Sequence, residues 1–216
     1  MFGHRLDRMQ LDATRMPLWT DATVPLAAIA ANGDSATYQG VPAADGVWAI
    51  ADGSFAGFRC QVSMLGRVTS LVGQSDALAG GIHVVNGAVE AGSIRINLAS
   101  LRILGKANPV LNHMIDTPRY PIATFTLNKP ISMPASPLRN VTYRAPASGS
   151  LTMHGRTQPV SFTFAARYTA SMLEGAGSVA IRFSDWNLRA PFGVQNNGAI
   201  DFTLRMSRSG VREHCS

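Results

Sequence analysis

The chain has 216 residues, 46% hydrophobic and only 15% charged, with a formal net charge of +6. That length fits one domain with a core large enough to need neither disulfide nor metal staple. Nearly all the positive charge is arginine, scattered singly and without the aromatic-interleaved basic patch that nucleic acid binding uses, so no nucleic-acid partner is expected.

Residues 1–46 show no period and carry Pro17, Pro25 and Pro42, which reads as an irregular N-terminal extension. Their longest apolar run, VPLAAIAA (24–31), is too short to span a bilayer, and no transmembrane segment is expected elsewhere. Asp7, Asp12 and Asp21 precede it, where a signal peptide would be basic. The expectation is therefore a cytoplasmic protein, and a periplasmic or secreted one if the start codon is misassigned.

From Val47 the pattern becomes period two, the mark of strands with one apolar and one polar face. VWAIA (47–51) opens it. In FRCQVSM, Phe58, Cys60, Val62 and Met64 alternate with polar residues; VTSLVG (68–73) is another candidate. The pair Gly80–Gly81 reads as a turn. In SIRINLASL, Ile94, Ile96 and Leu98 share one face, and in TFTL, Phe125 and Leu127 do. GKANPVLNHMID (105–116) breaks the period: Leu111, Met114 and Ile115 stand three and four apart, which predicts a short helix starting near Pro109, stopped by Pro118 and Pro121. NKPISMPASPLRNV (128–141), with three prolines, reads as a long loop.

GSLTMHGRTQPVSFTF (149–164) predicts a β-hairpin. Leu151 and Met153 alternate on its first arm, Val160, Phe162 and Phe164 on its second, and HGRTQP supplies turn formers, with Gly155 at a positive-φ position. SVAIRFSDW puts Val179, Ile181 and Phe183 on one face; AIDFTLRMS does the same with Ile200, Phe202, Leu204 and Met206. About eight or nine amphipathic strands separated by turns argue for an all-β antiparallel barrel or sandwich.

Little in the sequence suggests catalysis. The five histidines (4, 83, 113, 154 and 214) have no metal-ligand spacing, there is no G-x-S-x-G elbow, and no glycine-rich phosphate loop is present. No catalytic residue, metal or cofactor is expected. Cys60 and Cys215 form no disulfide framework, and Cys60 reads as a buried thiol. An outer-membrane barrel would share the alternation, but three Trp and four Tyr make no aromatic girdles.

Several stretches in this order resemble the YceI-like polyisoprenoid-binding family: VWAIADGS (47–54), LASLRI (98–103), VLNHMIDTPRYPIATF (110–125), LTMHGRTQPVSFTF (151–164) and FSDWNL (183–188). Three departures are visible, the first that many members carry a signal peptide and none is evident here. KANPVL stands where the family usually has an Arg-Asp pair before the helix, and Asn187 stands where it usually has glycine. The resemblance implies an eight-stranded, lipocalin-like antiparallel barrel over 47–207 with one short helix, followed by a C-terminal tail, 208–216. It implies non-enzymatic binding, storage or transport of a bacterial isoprenoid or other long-chain fatty lipid inside the barrel, and it is compatible with a homodimer. The lining would come from the inward faces: Phe58, Val62, Ile94, Ile96, Leu98, Phe125, Leu127, Phe162, Phe164, Ile181, Phe183, Phe202 and Leu204, with His154 at the mouth. The alternatives are a barrel enzyme modifying a bound lipid and a barrel filled by its own side chains.

Overall fold

Why the alternating segments close into a ring follows from their order in the computed structural model, which describes residues 44–209 apart from 65 and 170. Most of the expected N-terminal extension and C-terminal tail lies outside these residues. The strands are β1 (Gly46–Ile50), β2 (Phe55–Met64), β3 (Arg67–Ser75), β4 (Leu78–Val85) and β5 (Ala88–Asn97). A 3₁₀ turn (Leu98–Ser100) leads to a small hairpin, β6 (Arg102–Ile103) and β7 (Lys106–Ala107), and to helix α1 (Pro109–Ile115). Then come β8 (Ile122–Leu127), β9 (Ile131–Ser132), β10 (Thr142–Met153), β11 (Arg156–Tyr168) and β12 (Met172–Arg182), a second 3₁₀ turn (Phe183–Trp186), and β13 (Val194–Arg208).

The pairing order β1-β4-β5-β8-β10-β11-β12-β13 returns from β13 to β1, so the antiparallel sheet closes as an eight-stranded barrel. β12 pairs β13 along its own whole length, against residues 197–207; on the other edge of β13, β1 takes residues 206–208 and β2 takes 194–203. β1 and β2 thus act as one stave broken at 51–54. β3 and β4 act likewise, since β3 pairs β2 and β4 pairs β1. Below Leu78–Ile96, where β4 and β5 begin to pair, β3 leaves the ring and takes up β6 instead. The segment 98–121 fills the resulting gap. Asn108 caps α1 by accepting from the Leu111 N–H, Pro109 sits at the helix start where no N–H is needed, and Asp116 ends it in the left-handed region. Leu111 and Ile115 turn into the core, and Leu111 Cδ2 lies 3.1 Å from where a side chain on Gly73 would begin.

Three expectations need correction. Gly80 and Gly81 are not a turn but the middle of β4. Gly80 has φ +118°, and a Cβ there would collide with the Ser93 carbonyl of β5, so glycine serves close strand approach here. The hairpin turn is shorter than HGRTQP: His154 (φ +52°) and Gly155 (φ +71°) make it alone, with Met153 opposite Arg156. Two positive-φ central residues fit the hairpin twist. Pro159 sits inside β11 opposite Ser150; by alternation from the turn its missing N–H faces away from β10. The hairpin arms also extend to Thr142 and Tyr168, and the long loop contains β9, which pairs β5 at Ala88 and Val89.

The interior holds two buried clusters. One, around Trp48, Tyr168, Leu173 and Met206, closes the end at β1. The other, around Phe58, Leu111, Ile115, Phe183 and Trp186, closes the end at α1. Among the described residues no helix is long and apolar enough to cross a membrane.

Candidate functional site

Between the two clusters the barrel is hollow. Inward residues of β8, β11 and β13 should be as buried as their neighbours, yet Phe125, Leu127, Phe162 and Phe202 remain only partly buried. All four line one cavity. That cavity leaves about 70 Å³ free for the centres of water molecules, and a second, towards α1, leaves about 30 Å³. Ala56, Ile96 and Ile200 line both, so the two lie on either side of these side chains along the barrel. Each cavity exceeds the roughly 10–15 Å³ that a single water needs.

The hollow begins where the sheet opens. β11 pairs β12 only from Ala165–Ala176 to Tyr168–Leu173. At the next level Phe162 leans across the opening. A Cβ on Gly177 of β12 would stand 3.1 Å from its ring and 2.6 Å from that of Phe202. Phe162 meets Phe125 and Phe202 edge-on, each at 5.5 Å between ring centres, a favourable geometry that leaves gaps at the ring corners. The second 3₁₀ turn bridges the opening at its far end. Trp186 Nε1 donates to the Leu151 carbonyl (3.1 Å), Gln158 Nε2 to the Asp185 carbonyl (2.8 Å) and His154 Nδ1 to the Trp186 carbonyl (3.1 Å). Asn187 ends this turn at φ +57°, a conformation asparagine tolerates, so its departure from the expected glycine leaves the turn intact.

The lining is wholly apolar. Phe58, Leu98, Ile181 and Phe183 line the smaller cavity; Ile94, Phe125, Leu127, Phe162, Phe164, Phe202 and Leu204 line the larger; Ile96 lines both. Val62 does not line either one and packs against the α1-end cluster instead. His154 is outside both, its ring 4.6 Å from that of Tyr120, so it fastens the hairpin tip. Residues not expected in the lining also contribute: Ile82, Val89 and Ile131 at one end, Met114 and Ile115 at the other. Alternation in GIHVV would have pointed to Ile82; Ile131, in a proline-rich stretch, gave no such signal.

Charge is kept outside the wall. Asp201 on β13 accepts from Arg59 (3.0 Å) and from Ser178 Oγ (2.6 Å), and this hydrogen bond and the attraction behind it push the Arg59 guanidinium further up. Glu174 on β12 accepts from Arg167 on β11 at 2.7 Å. Cys60 is buried in the cluster at the α1 end, and burial pushes its thiol up, away from thiolate. No side chain lining either cavity carries a group that transfers a proton near neutral pH. What the arrangement does chemically is remove apolar surface from water. One buried polar atom among the described residues, Asn112 Oδ1 on α1, lacks a hydrogen-bond partner. No group of three or more metal-ligating side chains occurs among the described residues.

The model of the YceI-like domain matches residues 48–206. Solved structures share the fold. A polyisoprenoid binding domain from Saccharophagus degradans superposes with a TM-score of 0.58 at 19% identity, covering 76% of this chain and 99% of its own. Burkholderia cenocepacia BcnA gives 0.56 at 18%, covering 70% and 95%. The Campylobacter jejuni YceI protein gives 0.54 at 14%, covering 69% and 91%. No curated protein sequence matches the chain.

Proposed function

Given that the chain belongs to the YceI-like domain family, we propose that it is a non-enzymatic carrier or store for a long-chain amphiphilic lipid of isoprenoid type, held along the barrel axis. The observation that carries this reading is the set of inward rings at the waist that are not buried by their neighbours. The description of the Saccharophagus domain as polyisoprenoid binding supports the same ligand class. A methylene has about the bulk of a water, so the free space as packed takes only a short run of carbons. Each buried carbon contributes roughly 0.8 kcal/mol, from which several kcal/mol of immobilisation cost must be subtracted. Binding of a full isoprenoid chain therefore requires the Phe162 and Phe202 rings to swing.

Mass spectrometry of an organic extract of the purified protein tests the reading. A co-purified chain lipid, or affinity that climbs with chain length for added alkyl or prenyl amphiphiles, is the expected result. An empty extract together with no binding at any chain length would overturn it.

A further inference from the structure

A carried lipid must be taken from somewhere, and one end of the barrel is built differently from the rest. Among the described residues four large apolar side chains are exposed, and three of them, Val68 (59%), Leu104 (58%) and Phe192 (107%), belong to the extension β2–β3–β6–β7 and the loop beside it. The pairing sets Val68 and the Phe192 loop at one level of β2 and puts Leu104 about four residues, roughly 13 Å, further along β3. Val68 stands opposite Ser63 in the β2–β3 hairpin, and the Ser63 N–H donates to the carbonyl of Gly193, the residue after Phe192, at 2.7 Å. β6 joins the free edge of β3 at Gln74–Arg102, and Leu104 tips the hairpin that follows. Val47, the fourth, lies at the other end of β13. Val62 pairs Val194 while Trp48 pairs Arg208, about 45 Å apart along an extended strand.

Charge singles out the same end. Residues 55–75, 98–115 and 186–200 contain no acidic side chain but carry Arg59, Arg67, Arg102, Lys106 and Arg189. Arg59 is held by Asp201; Arg67, Lys106 and Arg189 are exposed beside Val68, Leu104 and Phe192 in sequence. The bordering acids are Asp76 at the far end of β3, Asp116 at the end of α1 and Asp185 in the turn against the β10–β11 hairpin. Protruding apolar side chains ringed by cations match a bilayer interface with anionic head groups, where the apolar tips enter the acyl boundary and each cation is attracted to the surface. The smaller of the two cavities, lined by Phe58, Phe183 and Leu188, is the one nearer this end.

We propose that the tip formed by Val68, Leu104 and Phe192 with Arg67, Lys106 and Arg189 docks the protein on an anionic lipid bilayer, the source from which the barrel loads. The proposal rests on the carrier reading for its purpose but not for its test. The full chain is mixed with vesicles of phosphatidylcholine alone or with about 30 mol% phosphatidylglycerol and separated by flotation. The wild type is expected to float with the anionic vesicles, and to be released at high salt. Phe192→Ser should weaken binding roughly tenfold or more, and Arg67→Gln or Arg189→Gln about fivefold each, while Val47→Ser changes nothing. Thermal melts identify any variant that fails to fold, and the paired tip variants, Phe192→Ser and Leu104→Ser, must then agree with each other. Failure of the wild type to float, or equal losses at Phe192 and Val47, would overturn the proposal. So would a wild-type dimer that Phe192→Ser dissolves without any vesicle binding, because the tip would then be a contact between two copies of the chain. If the extract holds a lipid but the vesicles bind nothing, docking falls and the carrier reading stands; vesicle binding with an empty extract and no affinity at any chain length leaves docking standing and overturns the carrier reading.

Discussion

At the β1 end of the barrel Trp48, Tyr168, Leu173 and Met206 are each at most 5% exposed. Two or three inward positions along the same strands, Phe202 and Phe162 line a void. Alternation puts both sets inside, and both are rich in large side chains, so hydrophobicity does not separate them. The ladder does. Where β11 has partners on both edges, β10 and β12, the staves are held at sheet spacing and the side chains between them interlock; where β12 departs, after Ala165–Ala176, the wall widens and the same kinds of residue no longer fill it.

Truncation should expose this difference most strongly. Leu173→Ala removes a side chain from the packed end and leaves a new hole; the expected loss of stability is about 3–5 kcal/mol. Phe202→Ala only enlarges an existing void, and about 1–2 kcal/mol is expected despite the larger ring. Denaturant unfolding of both variants checks the pair, and equal losses would mean that the waist is as tightly packed as the end.

The packed end also carries the clearest pH signature. Burial first, then the charge of Asp45, pushes the Tyr168 phenol up to about 12, with Arg208 opposing. Between the ordinary phenol value near 10 and 12 the unfolded chain has lost a proton that the folded chain keeps. Stability contributed by this group is therefore complete below pH 10 and falls as the pH rises towards 12, by about 2–3 kcal/mol. Subtracting the unfolding profile of Tyr168→Phe should isolate that slope; parallel profiles would show that the ring is less shielded than its packing implies.

The open side is fastened at its tip. Gly155 turns the β10–β11 hairpin at φ +71°, and a Cβ there would press on the Tyr120 ring at 2.9 Å. Gly155→Val should cost roughly 1–3 kcal/mol through backbone strain alone. Because His154 and Gln158 tie this tip to the 3₁₀ turn after β12, the same substitution should speed amide exchange in 183–187 more than in 165–168. Uniform change across the two segments would contradict the idea that the tip guards the opening.

How far the sequence discloses this arrangement depends on what alternation can encode. It placed Phe125, Leu127, Phe162, Phe164, Phe202 and Leu204 on inward faces, and Asn108–Pro109 started the helix where expected, because both signals are local. It misread Gly80–Gly81 because glycine demanded by a neighbouring strand looks like glycine demanded by a turn. It under-read 142–150, where Pro146 and Gly149 sit inside β10. A Cβ on Gly149 would overlap the Phe125 ring, a contact between residues 24 positions apart that no period reports. His154 was placed at a mouth because polar residues near turns suggest head-group contacts; its hydrogen bond to Trp186 spans 32 positions. Above all, alternation says which side chains face inward and nothing about whether they meet. Hollow and filled barrels have the same pattern, and the difference lies in how far neighbouring strands stay paired.

A substitution that fills the waist without disturbing the packed end separates these two properties. Leu127 lines the larger cavity and is only partly buried, on β8 opposite Gly149. Leu127→Trp adds a large apolar group into free space instead of into a packed cluster. Overpacking a full core costs about 1–3 kcal/mol, so a loss below about 1 kcal/mol is expected here, with folding unchanged. The carbons that the indole displaces are no longer available to a ligand. With each worth roughly 0.8 kcal/mol, the chain length at which affinity stops climbing should fall by a few carbons while short chains bind as before. Placing the same indole at Leu173 should unfold or strain the protein. Isothermal titration with a graded series of alkyl amphiphiles, beside thermal melts of both variants, decides the matter. Loss of stability at Leu127 as large as at Leu173 would show that the waist was never hollow. A folded Leu127→Trp protein whose length profile matches the wild type would place the bound chain elsewhere than between Phe162, Phe202 and Leu127.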